Sequence, residues 1–536
     1  MTGKISSKKC YYTILVILFF LFVFTRLFRL DSIPFTSTGM HIDEIGAGYN
    51  SFCIANYGVD QYLYKFPVYF KSLGEGQNAL YIYLAAIIFK FFGVSVFNYR
   101  LVAVILAAFA FVALFFLSKQ LLGDRYALVS LAMMTIMPVY MMSEHWGLES
   151  YLFLSMAIIS MSLLIYAIHT NRNVLYILSG IMWGISLYTY AITYVVVPPF
   201  LFLTMLYLVF TKKTTIYKMI LTGIPVVVLG IPLLIQQLVM LGYIPPFTFL
   251  GLIDFWLPAY YRSNDISIRY VVENLIKSPY ICLVADDISY NSTPRFGVMY
   301  YISVPFVLIG LCLSVKSLIL SVKNKKYDDL AVVFIFYFVG RIVTLFLRDP
   351  NTNRVNELYL PYLIFAVMGI RYIVKKANKK WMIYMIAALY SVSFLAFCRY
   401  FYFNREPSLN YDTRCDVEVF EGYIVYDIHA ALAAKEVLEK GNGKKVQMIM
   451  DDGDRFWWTT MCLFTGISPY DHNEHVEDTP YYGENFGIGI PEELDLSGNT
   501  VYLIQGELSH ITDYLVSQGF TNEIAEYGGY SILKKG

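Results

Sequence analysis

Charge is what this chain lacks. Of its 536 residues, 15% are Asp, Glu, Lys or Arg and 57% are hydrophobic, with a mean hydropathy of +0.54. Soluble domains carry about a quarter charged residues, so a soluble enzyme is excluded. Cysteine is sparse as well: seven residues with no CxxC pair provide no metal or dithiol framework. Cys415 and Cys462 pair if their region is extracytoplasmic, or remain separate thiols, and both readings stay open. Net charge is nearly absent at +1, so no nucleic-acid partner is expected. No internal repeat or low-complexity segment stands out.

The near-zero sum conceals two regions. Before Tyr400 there are 32 basic and 17 acidic side chains, and from Tyr400 onward 9 basic and 23 acidic ones. A basic, apolar body is joined to an acidic tail.

Long apolar runs are what the body has in abundance. A membrane helix needs about 17 to 25 apolar residues. Segments 12–30, 99–118, 125–142, 149–168, 174–190, 193–211, 216–239, 297–321, 329–347, 355–374 and 380–398 meet that requirement, about eleven spans. The first follows Lys4, Lys8 and Lys9; its run is too long for a signal peptide and no small-residue cleavage site follows, so it reads as a retained span. Asn78 to Phe92 is shorter and is bounded by turns carrying Gly74, Gly76 and Gly93, so it reads as a helix lying on the membrane.

The positive-inside rule decides that point. With residues 78–92 on the surface, 18 of the 32 basic residues fall on the side of the N-terminal lysines, among them Lys119, Arg172, Lys213, Lys326 and Lys375. Were the stretch a span, only the N-terminal three would. The expected fold is therefore a polytopic α-helical membrane protein, N-terminus in and C-terminus out, in the plasma membrane, with an extracytoplasmic α/β domain at its end. The membrane domain covers 1–399, with outer loops at 31–98 and 241–296, and the tail covers 400–536. In the tail, Val446–Met450, Val501–Gln505 and Tyr530–Leu533 read as strands and Asp427–Lys440 as a helix with Gly441 as its C-cap. Asp451, Asp452 and Asp454 lack the rest of a Ca²⁺ loop and read as a solvated turn. Asn291-Ser292-Thr293 is followed by Pro294 and is assigned nothing.

Chemistry is expected in the outer loops. The first contains Met40-His41-Ile42-Asp43-Glu44, whose adjacent carboxylates point to different faces of any regular element, so that one can enter a cavity while the other takes a second role. An acidic residue at a membrane surface is costly to desolvate unless it is used or paired. Further on come Tyr64-Lys65-Phe66-Pro67-Val68-Tyr69-Phe70-Lys71, then Glu75-Gly76-Gln77, the surface helix, and Phe92-Gly93-Val94-Ser95-Val96-Phe97-Asn98-Tyr99-Arg100-Leu101.

An acidic pair after the first span, a Pro-aromatic turn, a short helix and Phe-Gly-x-Ser-x-Phe-x-x-Arg-Leu opening the next span resemble the glycosyltransferase C superfamily. The nearest branch is that of bacterial relatives of protein O-mannosyltransferases and lipid A aminoarabinose transferases. The resemblance covers about the first 200 residues and returns at Asn351-Thr352-Asn353-Arg354-Val355-Asn356-Glu357. Ser143-Glu144-His145-Trp146-Gly147-Leu148-Glu149 holds the place of the second acidic site. Glu75-Gly76-Gln77 stands where aminoarabinose-type members have Lys-Pro-Pro, which leaves the donor sugar open.

The resemblance implies a membrane glycosyltransferase moving a sugar from a polyprenyl-phosphate donor to an envelope acceptor hydroxyl, protein or glycan, with inversion. It makes Asp43 the general base and Glu44 its positioning neighbour, and sets Arg100 on the lipid phosphate, as the fork geometry of a guanidinium suits. Membrane-edge snorkelling is the ordinary alternative for Arg100. Lys71 and Arg354 are second phosphate cations, and Glu149 orients acceptor or sugar, or caps its own helix. His145 is a packed or exposed histidine, or it joins Asp43, Glu44 and Glu149 around a divalent ion, as in oligosaccharyltransferases of the superfamily. No metal and no cofactor is the primary expectation. Two other classes stand beside the enzyme: a transporter or lipid flippase, which ordinarily shows two similar halves, and an accessory membrane protein whose tail binds envelope components.

Overall fold

The computed structural model describes all residues except 1, 33–38, 72–75, 258–265, 285–294, 404–424, 441–443, 450–454, 475–480, 483–485, 505–507, 525–529 and 536. Cys415, Glu75, the Asp451–Asp454 turn, Gly441 and Asn291–Pro294 lie outside the described residues.

All eleven apolar segments are helical, but two are not simple spans. Among the described residues nine helices are long and apolar enough to cross a membrane. They are α1 (Thr2–Leu27), α4 (Val96–Leu122), α7 (Glu149–Thr170), α9 (Thr193–Phe210), α10 (Ile216–Met240), α12 (Val304–Asn324), α13 (Asp329–Phe346), α14 (Tyr359–Ala377) and α15 (Lys380–Cys398). Segment 174–190 holds only α8 (Asn173–Ser186), 14 residues. Segment 125–142 is α5 (Asp124–Ile136) and α6 (Pro138–His145), bent by 55°. The short Asn78–Phe92 stretch forms α3 (Ala79–Phe92), whose last two rings, Phe91 and Phe92, are 77% and 72% exposed.

The bend has a traceable cause. Pro138 has no N–H to give to Met134 O, and it displaces the backbone from the following bonds as well. The abandoned acceptors are taken up from elsewhere. Arg26 Nη2 donates to Met134 O at 2.8 Å, Arg26 Nη1 to Thr135 O at 2.6 Å, and the Tyr300 hydroxyl to Ile136 O at 2.7 Å. Val139 N donates instead to Val298 O at 3.0 Å. Arg26 also gives its Nε to Glu144 at 2.6 Å, so this buried cation is held by a carboxylate and two carbonyls.

Small residues set the closest crossings. A Cβ on Gly310 of α12 would lie 1.9 Å from Phe365 O of α14, and one on Gly369 of α14 would lie 2.1 Å from Phe306 O. Without a hydrophobic drive between lipid-embedded helices, such backbone approach is what lets them pack.

The tail is α/β, as its sequence suggests. The three expected strands are β7 (Lys445–Ile449), β10 (Thr500–Ile504) and β12 (Ser531–Lys534). They join β8 (Tyr481–Tyr482), β9 (Phe486–Ile488) and β11 (Thr521–Ile524) in one six-stranded sheet of order β11-β12-β10-β7-β9-β8. The middle pairs, β10 with β7 and β7 with β9, are parallel. The helix expected from Asp427 begins at His429, because Val425–Asp427 is a strand, β6. β6 pairs antiparallel with β1 (Gly39–His41), between α1 and α2. Beside that pairing, α2 (Ile42–Tyr57) packs on the tail helix Arg455–Thr465, and Ile45, Tyr49, Cys53, Met461 and Leu463 share one apolar core.

The loop between α10 and α12 contributes a hairpin, β4 (Phe247–Phe249) and β5 (Ile253–Phe255), and α11 (Val271–Leu283). The hairpin is fastened to the first loop. Asp254 accepts from Lys65 N at 2.7 Å, and the buried Trp256 gives its indole N–H to Tyr69 O at 2.5 Å while stacking on Tyr64.

Candidate active site

The site is built on the start of α2. His41 is the N-cap, and its Nδ1 accepts the Asp43 N–H at 3.1 Å. That bond requires a lone pair on Nδ1, so the ring carries its proton on Nε2. Burial keeps the imidazole neutral by pushing its pKa down, against the pull of Asp43 and Glu44. Glu44 completes a capping box by accepting His41 N at 3.0 Å.

Glu44 and Asp43 then part company, as adjacent positions on a helix must. The Glu44 side chain is 0% exposed, and four donors fill it. Arg100 Nε and the Gly147 N–H reach Oε1, each at 2.8 Å; Arg100 Nη2 at 2.7 Å and His41 N reach Oε2. Burial works to raise the Glu44 pKa, but the Arg100 charge and these hydrogen bonds hold it below the usual carboxylate range. Arg100 Nη1 goes on to Leu30 O at 3.2 Å. One buried ion pair thus ties together the end of the first span, α2, α4 and the turn before α7. Asp43, by contrast, keeps 39% of its side chain exposed, with Oδ2 3.5 Å from His41 Nδ1.

Gly147 is needed at that turn. An added Cβ would lie 2.4 Å from Tyr99 Cε1 and 2.9 Å from Glu44 Oε1, while the Tyr99 hydroxyl donates to Gly147 O at 3.0 Å. Gly147→Ala is expected to cost about 1–3 kcal/mol through overpacking. Thermal unfolding in detergent checks this, with Gly223→Ala, whose added Cβ meets nothing within 4 Å, as the neutral control.

Glu149 is nearly buried in the first turn of α7. It accepts the backbone and side-chain N–H groups of Asn78, just ahead of α3, and Asn78 Oδ1 in turn accepts the Tyr194 hydroxyl. Glu149 is thereby tied to the residue that opens α3. Next to it, Ser150 donates to Asn353, and Asn356 Nδ2 donates to Ser150 O at 3.0 Å, which brings the Asn351–Asn356 turn to the same place. Tyr99 lies within electrostatic reach of Asp43, Glu44 and Glu149 together.

The other expected residues divide. Lys71 holds its ammonium 4.1 Å from the centre of the Tyr62 ring, near the buried Asp60. Burial pushes the Asp60 carboxyl up to about 7, although it accepts the Tyr62 and Tyr64 N–H groups at 2.8 and 2.9 Å. Arg354 is half-buried, with Nη1 on Arg348 O at 2.9 Å.

Arg100 is fully buried, with its fork on Glu44. His145 is a packed histidine: its Nδ1 lies 2.7 Å from Met141 O, and its ring packs on Phe401 and Tyr402 beside the Arg26–Glu144 pair. Among the described residues no group of three or more His, Cys, Asp or Glu is gathered as metal ligands.

His41 and Gly147 went unnoticed in the sequence. The spacing of His41 and Glu44 is that of a capping box with histidine in place of Ser or Thr, and it was the available signal.

Residues 78–238 match a family model described as dolichyl-phosphate-mannose-protein mannosyltransferase. No curated protein matches the sequence. Among solved structures, ArnT from Cupriavidus metallidurans in the apo state superposes with a TM-score of 0.53 at 10% identity, over 97% of this chain and 98% of that one. The same protein bound to undecaprenyl phosphate gives 0.50 at 11% identity, over 97% of each chain. The oligosaccharyltransferase AglB from Archaeoglobus fulgidus, in complex with an inhibitory peptide and a dolichol-phosphate, gives 0.46 at 11% identity. There the match covers 86% of this chain and 64% of that one, so this chain spans less than two thirds of AglB. The sequence likeness thus covers residues 78–238, and the fold is ArnT-like, that of a multi-pass membrane protein.

Proposed function

We propose that this chain is an inverting glycosyltransferase of a bacterial plasma membrane, moving a sugar from a polyprenyl-phosphate donor to a hydroxyl of an envelope acceptor on the extracytoplasmic face. The observation that carries the reading is the divergence of two neighbouring carboxylates. Glu44 is locked into the frame by Arg100, Gly147 and His41, and Asp43 stands outward from that frame, 39% exposed. The family match over 78–238 and the ArnT-like fold support the reaction class, and the undecaprenyl phosphate bound to ArnT supports the donor lipid.

In this mechanism the acceptor hydroxyl attacks the anomeric carbon from the side opposite the phosphate. Asp43 takes the hydroxyl proton as the new C–O bond forms. The bond from the anomeric carbon to the phosphate oxygen breaks, and polyprenyl phosphate leaves with the electron pair. A positioned carboxylate in this role contributes about 10²–10⁴-fold. Glu44 and Arg100 are positioning residues that hold the turn bearing Asp43. Lys71 and Arg354, on the outer loops, take the charge that develops on the leaving phosphate. Glu149, already aligned with Asn78 and Tyr194, orients acceptor or sugar.

The test is transfer by the purified protein from polyprenyl-phosphate sugars of known anomeric configuration to hydroxyl acceptors, followed by NMR of the product. The expected result is an inverted anomeric centre with one polyprenyl phosphate released per sugar moved. A product of retained configuration, or no transfer from any such donor, contradicts the reading.

A further inference from the structure

We infer that the tail is a positioning part of the active site: its strand β6 holds the segment that presents Asp43, so that catalysis depends on a pairing between residues far apart in the chain. This deepens the reading above and rests on it for the role of Asp43.

Several independent contacts converge on the same few residues. β1 ends at His41, the N-cap of α2, and its three residues pair one to one with β6: Gly39 with Asp427, Met40 with Tyr426 and His41 with Val425. β1 has no other strand partner among the described residues. A two-stranded ribbon alone is marginal in water, so each strand needs the body behind it. That body is supplied by α2, one turn further on. The Tyr49 hydroxyl donates to Ile467 O of the tail at 3.0 Å. A Cβ on Gly48 would stand 3.1 Å from Leu463 Cδ2, so the tail helix lies hard against α2 at that point. A third tie runs from Lys435 Nζ to Val94 O, 3.1 Å, between α3 and α4.

The consequence follows from where these ties act. His41 fixes Asp43 through the N-cap bond and Glu44 through its own N–H. The backbone of His41 stands opposite Val425 in the β1–β6 pairing. A displacement of β6 therefore reaches the Asp43 carboxylate through one residue, whereas Arg100, Gly147 and α7 lie on the membrane-domain side of the site. A shift of about 1 Å in a catalytic group is enough to cost about 10²-fold in rate. The tail need not touch either substrate to govern turnover.

The experiment uses the full chain in detergent, carrying Val425→Pro and Tyr426→Pro together, which removes the N–H groups of two consecutive residues, one of which faces β1, and so unpairs β6 in either hydrogen-bonding register. Val425→Ile with Tyr426→Phe keeps the backbone donors and serves as the conservative pair. Two readouts are taken, hydrogen exchange of the backbone amides and sugar transfer. For the proline pair, exchange is expected to rise over residues 39–57 and to stay unchanged over 149–170, with kcat falling about 10²-fold and the donor KM within about twofold. The conservative pair is expected to behave as the natural chain.

Unchanged exchange over 39–57 overturns the positioning role, as does unchanged kcat in the face of faster exchange. Exchange rising equally over 149–170 means general unfolding and also counts against it. Failure of the catalytic reading is separable, because it appears as full activity of Asp43→Asn, which the exchange measurement does not depend on.

Discussion

Arg100→Leu is expected to destabilise the folded protein by about 3–5 kcal/mol, because it leaves the Glu44 carboxylate buried without its cation. Both side chains are fully buried, and two of the four donors to Glu44 come from Arg100. The remaining two, from His41 and Gly147, are too few for an ionised carboxylate out of water. Adding Glu44→Gln to Arg100→Leu is expected to recover part of the loss, since the amide oxygen still accepts an N–H and carries no charge. Thermal unfolding in detergent measures both. The same variants separate two roles for Arg100. If it served to grip a lipid phosphate, its loss would raise the donor KM and leave the unfolding temperature nearly unchanged, and Glu44→Gln would restore nothing.

Much of this architecture was legible before any coordinates. Apolar runs long enough to span are a strong signal, and all eleven segments are helices. The bend at Met137–Pro138 escaped because hydropathy sums side chains and is blind to a missing backbone donor, and because its repair comes from Arg26 and Tyr300, far away in sequence. The ribbon of β1 and β6 gave no local sign at all: three residues have no period to read, and their partner lies far away in the chain.

In the site, adjacency alone foretold that Asp43 and Glu44 would face different ways. It did not foretell which one would be buried, since that depends on where Arg100 and Gly147 arrive. A guanidinium fork suits a phosphate and a carboxylate equally well, so sequence identified a binder of oxyanions and left open which oxyanion fills it. For His145 the sequence left a packed ring and a metal ligand side by side, and α6 sets the ring on Phe401 and Tyr402.

The second large effect concerns Asp43 itself. Asparagine has nearly the shape of aspartate and retains an acceptor oxygen, and the cap bond of this residue is made by its backbone N–H, which the substitution leaves in place. The ion pair of Glu44 with Arg100 is likewise untouched, so the fold is expected to keep its unfolding temperature. What is lost is the basic oxygen. With no group to take the acceptor proton during attack, the rate is expected to fall by about 10²–10⁴-fold, and donor binding, which the account gives to other residues, is expected to persist. The decisive measurement is therefore the rate of sugar transfer from a polyprenyl-phosphate donor by purified Asp43→Asn beside the natural chain, with unfolding temperature and donor affinity taken on the same preparations. The account predicts loss of transfer with the other two unchanged; transfer at the natural rate by a correctly folded Asp43→Asn protein would contradict it.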